Sequence, residues 1–348
     1  MDTKFWSVDK FVTNLEDYPQ ISEAAALLKE NEVVAFPTET VYGLGGNADS
    51  DTAVAKIFEA KGRPADNPLI IHIAKKEQLD SFVDGVPEKA GMLMDHFWPG
   101  PLTIVFNKKA GQLSAKATAG LSTVAVRMPD HPVALALIKK TGLPIAAPSA
   151  NQSGKPSPTS AQHVHDDLYG RISGIIDGGA TGVGVESTVI DCTGPVPVIL
   201  RPGGATVEQI EAVVGKVQLD PALADQEIAP KSPGMKYQHY APNAPLYLVE
   251  GSRDFLQELI NEKRKLGLKA GVLTTEENVA FFQADAVLGC GSRDKPETVA
   301  SSLYDTLREF NAKDLDVIFS EVFPRIGVGE AVMNRLMKAA GQRLIKEE

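Results

Sequence analysis

Cysteine is scarce in this chain. Cys192 and Cys290 stand far apart with no C-x-x-C pair, which excludes a disulfide framework and a thiolate zinc site. Long apolar runs are missing as well: none approaches the ~18 residues a membrane helix needs, and the mean hydropathy is -0.09. The opening MDTKFWSVDK lacks the basic-then-apolar pattern of a secretory signal. A soluble, cytoplasmic protein is therefore expected. Positive charge is in deficit, with 35 Lys+Arg against 45 Asp+Glu and a net charge of -10. That opposes a protein whose main task is to coat phosphate backbones. Several signatures are absent too: G-x-x-x-x-G-K-[ST], H-E-x-x-H, G-x-S-x-G and any internal repeat.

What the chain does have is room, periodicity and polar loops. Its 348 residues imply about two domains. Apolar spacing predicts helices over 20–31, 51–60, 87–97, 132–140, 159–168 and 206–213. Strands are predicted over 32–36, 69–73, 102–106, 123–126, 143–147, 187–191 and 196–200. This mixture predicts an α/β sheet that is not purely parallel. From Gln218 to Pro245 five prolines interrupt any periodicity, as in a connector. Beyond it, strands over 246–249, 270–273, 286–288 and 317–319 alternate with helices over 254–265, 276–281, 298–310 and 329–340. That rhythm predicts a small doubly wound domain. The expected division is thus 1–217, a 218–245 linker and 246–348.

The chemistry-bearing residues fall in loops at strand ends. PTETVYGLG (37–45) supplies Thr38, Thr40, Tyr42 and Glu39, and reads either as a self-bonding turn or as a pocket for a polar ligand. KGRPADNPL (61–69) places Lys61 and Arg63 at a helix end and Asn67 before a strand, stiffened by Pro64 and Pro68. Two cations there suit a helix dipole or preorganised contact with phosphate. His72, in an apolar strand, reads first as a core residue. Arg127 closes a strand and, if half-buried, needs an anion from the protein or from a substrate. Ser149, Asn151, Ser157 and Lys155 crowd a proline-rich loop, while Ser187 and Arg201 flank two further strands. From 101 to 160, seven positive residues face Asp130 alone, a pattern that fits the wall of an anion cleft or a solvated face. Gly43–Ala48 satisfies G-x-G-x-x-A, a weak dinucleotide fingerprint. With no nucleophile and no metal cluster in the pattern, the residues favour reaction by positioning and charge neutralisation.

In order and spacing, PTETVYGLG, KGRPADNPL, Ser149-Ala150-Asn151, GVESTVID and LRPGG resemble the signatures of the YrdC-type L-threonylcarbamoyladenylate synthases. SPGMKYQHYAP (232–242) and GVGEAVMNRLMKAA resemble the linker and C-terminal end of their long, two-domain form. The resemblance implies a YrdC-like twisted mixed sheet with helices, plus a smaller C-terminal Rossmann-like α/β domain. It implies a nucleotidyltransferase that condenses L-threonine, bicarbonate or CO2, and ATP into threonylcarbamoyl-AMP, releasing pyrophosphate. The product would pass to a tRNA threonylcarbamoyltransferase that modifies the adenosine beside the anticodon.

By matching position, Thr40, His72, Arg127, Ala147 (through its backbone) and Ser187 would hold threonine. Arg63, Asn67, Thr123, Ser149, Ser157, Arg201 and Tyr240 would hold ATP. Lys61 and Arg63 would act electrostatically. Mg2+ would arrive on the ATP phosphates, without protein ligands. The linker, with Lys236, Tyr237, His239 and Tyr240, would close over the cleft. An RNA-binding module without catalysis is the alternative, opposed by the net charge and by the lack of aromatic residues interleaved with the positives. Direct tRNA binding is accordingly expected to be weak or absent, and no membrane partner is expected.

Overall fold

The computed structural model describes residues 2–223 and 239–348; Lys236 and Tyr237 of the expected lid lie outside them. The described residues form two compact units. The first holds 2–153, 158–182 and 186–223, and the second holds 154–157, 183–185 and 239–348.

Eleven strands of the first unit make one mixed sheet. They are β1 (Lys4–Ser7), β2 (Val34–Phe36), β3 (Gly43–Asn47), β4 (Ile70–His72), β5 (Leu102–Asn107) and β6 (Thr123–Arg127), followed by β7 (Ile145–Ala146), β8 (Gly174–Asp177), β9 (Thr188–Asp191), β10 (Val198–Arg201) and β11 (Gln218–Leu219). Their order is β1-β8-β2-β3-β7-β4-β6-β5-β9-β10-β11, with parallel and antiparallel neighbours interspersed. Its helices are α1 (Pro19–Lys29), α2 (Asp51–Lys61), α3 (Glu88–Phe97), α4 (Pro132–Thr141), α5 (Ala161–Leu168) and α6 (Val207–Val214). Each follows the predicted apolar period: α1 buries Ile21, Ala24, Ala25 and Leu28, with Pro19 at its first turn. In α2, Ser50 caps the start by accepting from Ala53 N, and Gly62, at φ 60°, ends the helix in a left-handed turn. That turn sets Lys61 and Arg63 on either side of the helix end.

Gly43–Asn47 is a strand, not a phosphate loop. It pairs antiparallel with β2, and a Cβ on Gly45 would stand 2.6 Å from the Phe36 ring and 2.9 Å from Ile145. Close packing, not nucleotide approach, accounts for that glycine. Strands β1, β8 and β11 were not foreseen: they are four residues or shorter, and length alone does not separate them from β2, β4 and β7, which longer apolar runs announce.

The second unit is a five-stranded, wholly parallel sheet of β12 (Leu246–Glu250), β13 (Ala270–Thr274), β14 (Ala286–Gly289), β15 (Val317–Glu321) and β16 (Leu344–Lys346). The order is β14-β13-β15-β12-β16, with helices α7 (Arg253–Lys265), α8 (Pro296–Glu309) and α9 (Gly329–Ala339). The Rossmann-like expectation holds. The helix predicted over 276–281 is a single 3-10 turn at Glu276–Asn278. No helix among the described residues is long and apolar enough to cross a membrane.

Candidate active site

Strands β4 and β6 lie side by side in parallel, with Ile70 opposite Ala125, Ile71 opposite Val126 and His72 opposite Arg127. Alternation sends Ile71 and Val126 into the main core. Ile70 and Ala125 turn the other way, into a separate small apolar cluster with Val105, Val189 and Leu200. His72 and Arg127 share that second face at the carboxyl ends of the strands. Thr123, four residues earlier, shares it at the amino end. The loop carrying Arg63 and Asn67 leads into the same amino end of β4. Four strand residues span about 13 Å. His72 and Arg127 therefore mark one end of a strip, and Thr123 with the Arg63–Asn67 loop marks the other.

At the carboxyl end, all three guanidinium nitrogens of buried Arg127 meet a protein oxygen. Nε donates to Gly100 O at 3.2 Å and Nη1 to Thr40 Oγ1 at 2.9 Å. Nη2 stands 2.5 Å from Glu39 Oε1. The anion that Arg127 requires is thus Glu39, which the sequence placed in the same loop without giving it a task. Thr40 is fixed by an ST-turn in which Thr38 Oγ1 accepts from Thr40 N and Val41 N and donates to Val41 O. His72 is 4% exposed, with Nδ1 3.2 Å from Ile70 O. Burial, and then the Arg127 charge, push its pKa down to about 3, so the ring is neutral. Asp130 is raised, by burial and then by Glu39, against the opposing pull of Arg127. Ala147 N donates to Ile70 O at 2.9 Å.

Lys61 is 2% exposed, and its ammonium does not stand open to the surface. It donates to Ser149 O at 2.5 Å, Asn151 O at 2.6 Å and Asn151 Oδ1 at 3.4 Å. Its charge therefore bears on the loop that presents Ser149, whose Oγ donates to Asn151 Oδ1 at 2.6 Å. Leu44 N and Ala150 N complete that loop's backbone pairing, through Pro148 O and Tyr42 O. Arg63 Nη2 reaches the carbonyls of Asn67 and Pro68 at 3.5 and 3.4 Å, folding the K-x-R-P loop on itself.

Along β9 and β10, buried Arg201 grips Ser187: Nε and Nη2 donate to its carbonyl at 3.2 and 2.8 Å, and Nη2 reaches Oγ at 3.3 Å. Ser187 Oγ also meets Thr103 Oγ1 at 2.7 Å, a contact that sequence reasoning missed because Thr103 reads as one more strand residue. Gly203 lets the two loops close: a Cβ there would lie 2.3 Å from Glu186 O and 2.4 Å from Thr188 N. Ser157 and Tyr240 belong to the second unit. There Tyr240, at φ 65°, stacks on Tyr304 with centroids 5.2 Å apart, and the Arg335 guanidinium lies 5.8 Å from its ring.

The positive excess counted over 101–160 does not form one cationic wall. Lys139 pairs with Glu16, Lys140 lies 3.9 Å from Asp17, and Lys109 donates to Asp80 O. Acids and carbonyls distant in sequence answer those charges. Cys192 and Cys290 are buried, each thiol pushed up to about 12 mainly by burial.

A strip of one sheet with an apolar floor, His72 and Arg127 at one end and Thr123 with the Arg63–Asn67 loop at the other, suits an α/β enzyme domain that acts on polar, charged small molecules by position. Comparison with known proteins narrows this class. Residues 26–203 match the Sua5/YciO/YrdC family model, described as telomere recombination, and residues 205–341 match the threonylcarbamoyl-AMP synthase C-terminal domain. The chain is 60% identical to the threonylcarbamoyl-AMP synthase of Bacillus subtilis over 346 residues, covering 99% of this chain and 100% of the relative. It is 52% identical to that of Pyrococcus abyssi over 332 residues, 94% of this chain and 96% of the relative. The crystal structure of P. abyssi Sua5 complexed with L-threonine superposes with a TM-score of 0.93 at 50% identity, covering 99% of this chain and all of that one. The chain belongs to the threonylcarbamoyl-AMP synthase family, in its two-domain form.

Proposed function

We propose that this chain joins L-threonine, CO2 or bicarbonate, and ATP into L-threonylcarbamoyl-AMP, releasing pyrophosphate. The two-ended strip carries this reading, supported by the family membership. In it the α-ammonium of threonine loses one proton to become the nucleophilic amine and a second as its nitrogen bonds CO2, both passing to solvent, and an oxygen of the resulting carbamate attacks the α-phosphorus while pyrophosphate leaves. Arg127 and Thr40 take the threonine carboxylate, His72 and Ser187 line the same subsite, and the Ala147 backbone borders it. Arg63, Asn67, Thr123, Ser149, Ser157, Arg201 and Tyr240 serve ATP.

The chemistry asks two anions, carbamate and triphosphate, to approach. Arg63, Arg127 and Arg201, each held by backbone carbonyls, are placed to offset that repulsion. Lys61 acts one step back, through the Ser149 loop. Mg2+ enters on the ATP phosphates. The product passes to a tRNA threonylcarbamoyltransferase for modification of the adenosine beside the anticodon, in the cytoplasm, and this chain need not hold the tRNA itself. Pyrophosphate release, measured with threonine and bicarbonate each omitted, tests the reading. Release that persists without threonine overturns it, and tight salt-dependent tRNA binding in a filter assay overturns the division of labour.

A further inference from the structure

The carboxyl end of the strip carries charge of both signs. Arg127 and, at Ser187, Arg201 are its cations, His72 is neutral, and the acids Glu39 and Asp130 both act on Arg127. A site meant only for an anion would be net positive. A zwitterion is a different guest: its carboxylate and ammonium lie a few ångströms apart, the same scale as the Arg127–Glu39 pair at 2.5 Å.

Glu39 also differs from an ordinary structural partner. Its side chain is 13% exposed, yet neither carboxylate oxygen has a hydrogen-bond donor among the described residues. The approach to Arg127 is close but off the N–H direction, a Coulombic contact without a bonded fork. A buried carboxylate that only braces a fold has its lone pairs met, because leaving them unmet is costly. An ammonium brings three donors, which suits the acceptor sites left over at Glu39.

We infer that Glu39 is the specificity residue for the α-ammonium of the amino-acid substrate, and that it exchanges partners on binding. Before substrate arrives, Glu39 neutralises Arg127. The substrate carboxylate then takes over the Arg127 Nη2 direction, and Glu39 turns its oxygens to the ammonium. Thr40 keeps its place on Nη1 throughout. The exchange fixes which end of the amino acid faces which charge, and so where the future nucleophile points. It also means that 2-hydroxy acids of the same shape are rejected because they leave Glu39 without a cation. This inference rests on the proposed threonine site and assigns the ammonium half of it.

The test compares binding of L-threonine with that of 2,3-dihydroxybutanoate, in which a hydroxyl replaces the amine, in the full chain and in Glu39→Gln. Loss of a charge-assisted contact should weaken threonine about tenfold or more. The dihydroxy acid should bind E39Q as well as, or better than, the wild type, since Gln competes less for Arg127. Parallel losses for both ligands, or none for threonine, overturn the inference. ATP affinity reports whether E39Q is folded. If it is not, Glu39→Asp, which keeps the charge and shortens the reach, takes its place: selective loss of threonine supports the assignment and parallel loss overturns it. A wild-type chain that binds no threonine at all would instead sink the proposed function.

Discussion

His72 and Arg127 are register partners on neighbouring parallel strands, and the arginine's charge adds to burial in keeping the imidazole neutral. The native pKa of about 3 lies below the ordinary 6.5. Between these values the unfolded chain binds a proton that native His72 does not. Stability must then fall as pH drops through this window, with a slope approaching about 1.4 kcal/mol per pH unit. Buried His131, pushed down to about 4 by desolvation and then Lys10, acts with the same sign. Urea midpoints at pH 5 and 7 should show a slope shallower by about one proton in His72→Gln than in the wild type. Equal slopes would mean that His72 is charged in the native state.

Gly203 tests whether the LRPGG loop must touch the GVESTV strand. Its Cβ would meet backbone atoms at 2.3–2.4 Å, and backbone cannot swing aside. Gly203→Ala should cost about 1–3 kcal/mol in denaturant melts and loosen the Arg201 grip on Ser187, raising the KM for ATP. Gly194→Ala is the control, because a Cβ there would meet nothing nearer than Val196 O at 3.9 Å. A Gly203→Ala protein as stable as that control would show that the loops are free to part.

Lys61 gives the clearest contrast between a cation that meets substrate and one that holds a loop. Its ammonium is spent on Ser149 and Asn151. Lys61→Met keeps the stem and removes the charge, leaving two buried carbonyls short of a donor, at a cost of about 1.5–3 kcal/mol. The thermal midpoint should fall together with ATP affinity. A variant that loses turnover while melting normally would point to direct contact with the phosphates.

Most helices and the longer strands were legible because one apolar period runs through each, as in α1 and α4. The glycine-rich β3 was not: Gly43, Gly45 and Gly46 look like a loop until Phe36 and Ile145 are seen packed against them. The polar loops at the strand ends were recognisable from their hydroxyls and cations. Their partners were not, because Glu39 with Arg127, Lys61 with Ser149, and Arg201 with Ser187 are separated by 14 to 88 positions and meet only through strand order. The same blindness made the 101–160 charges look like one patch, although Lys139 and Lys140 turn to Glu16 and Asp17.

Arg127 tests the two-ended strip itself. Arg127→Lys keeps the positive charge near Glu39 but gives up the planar fork that reaches Gly100, Thr40 and Glu39 together. Threonine should bind about tenfold or more weakly. Thr123, the residue proposed for ATP at the amino end of β6, is about 13 Å away along the strand, beyond the distance at which separate substitutions usually couple. The ATP dissociation constant should therefore change by no more than about twofold. Isothermal titration with each ligand alone separates the cases. A threonine-selective loss fits two subsites on one face, and an equal loss of both ligands would mean that Arg127 holds up the sheet rather than one end of the site.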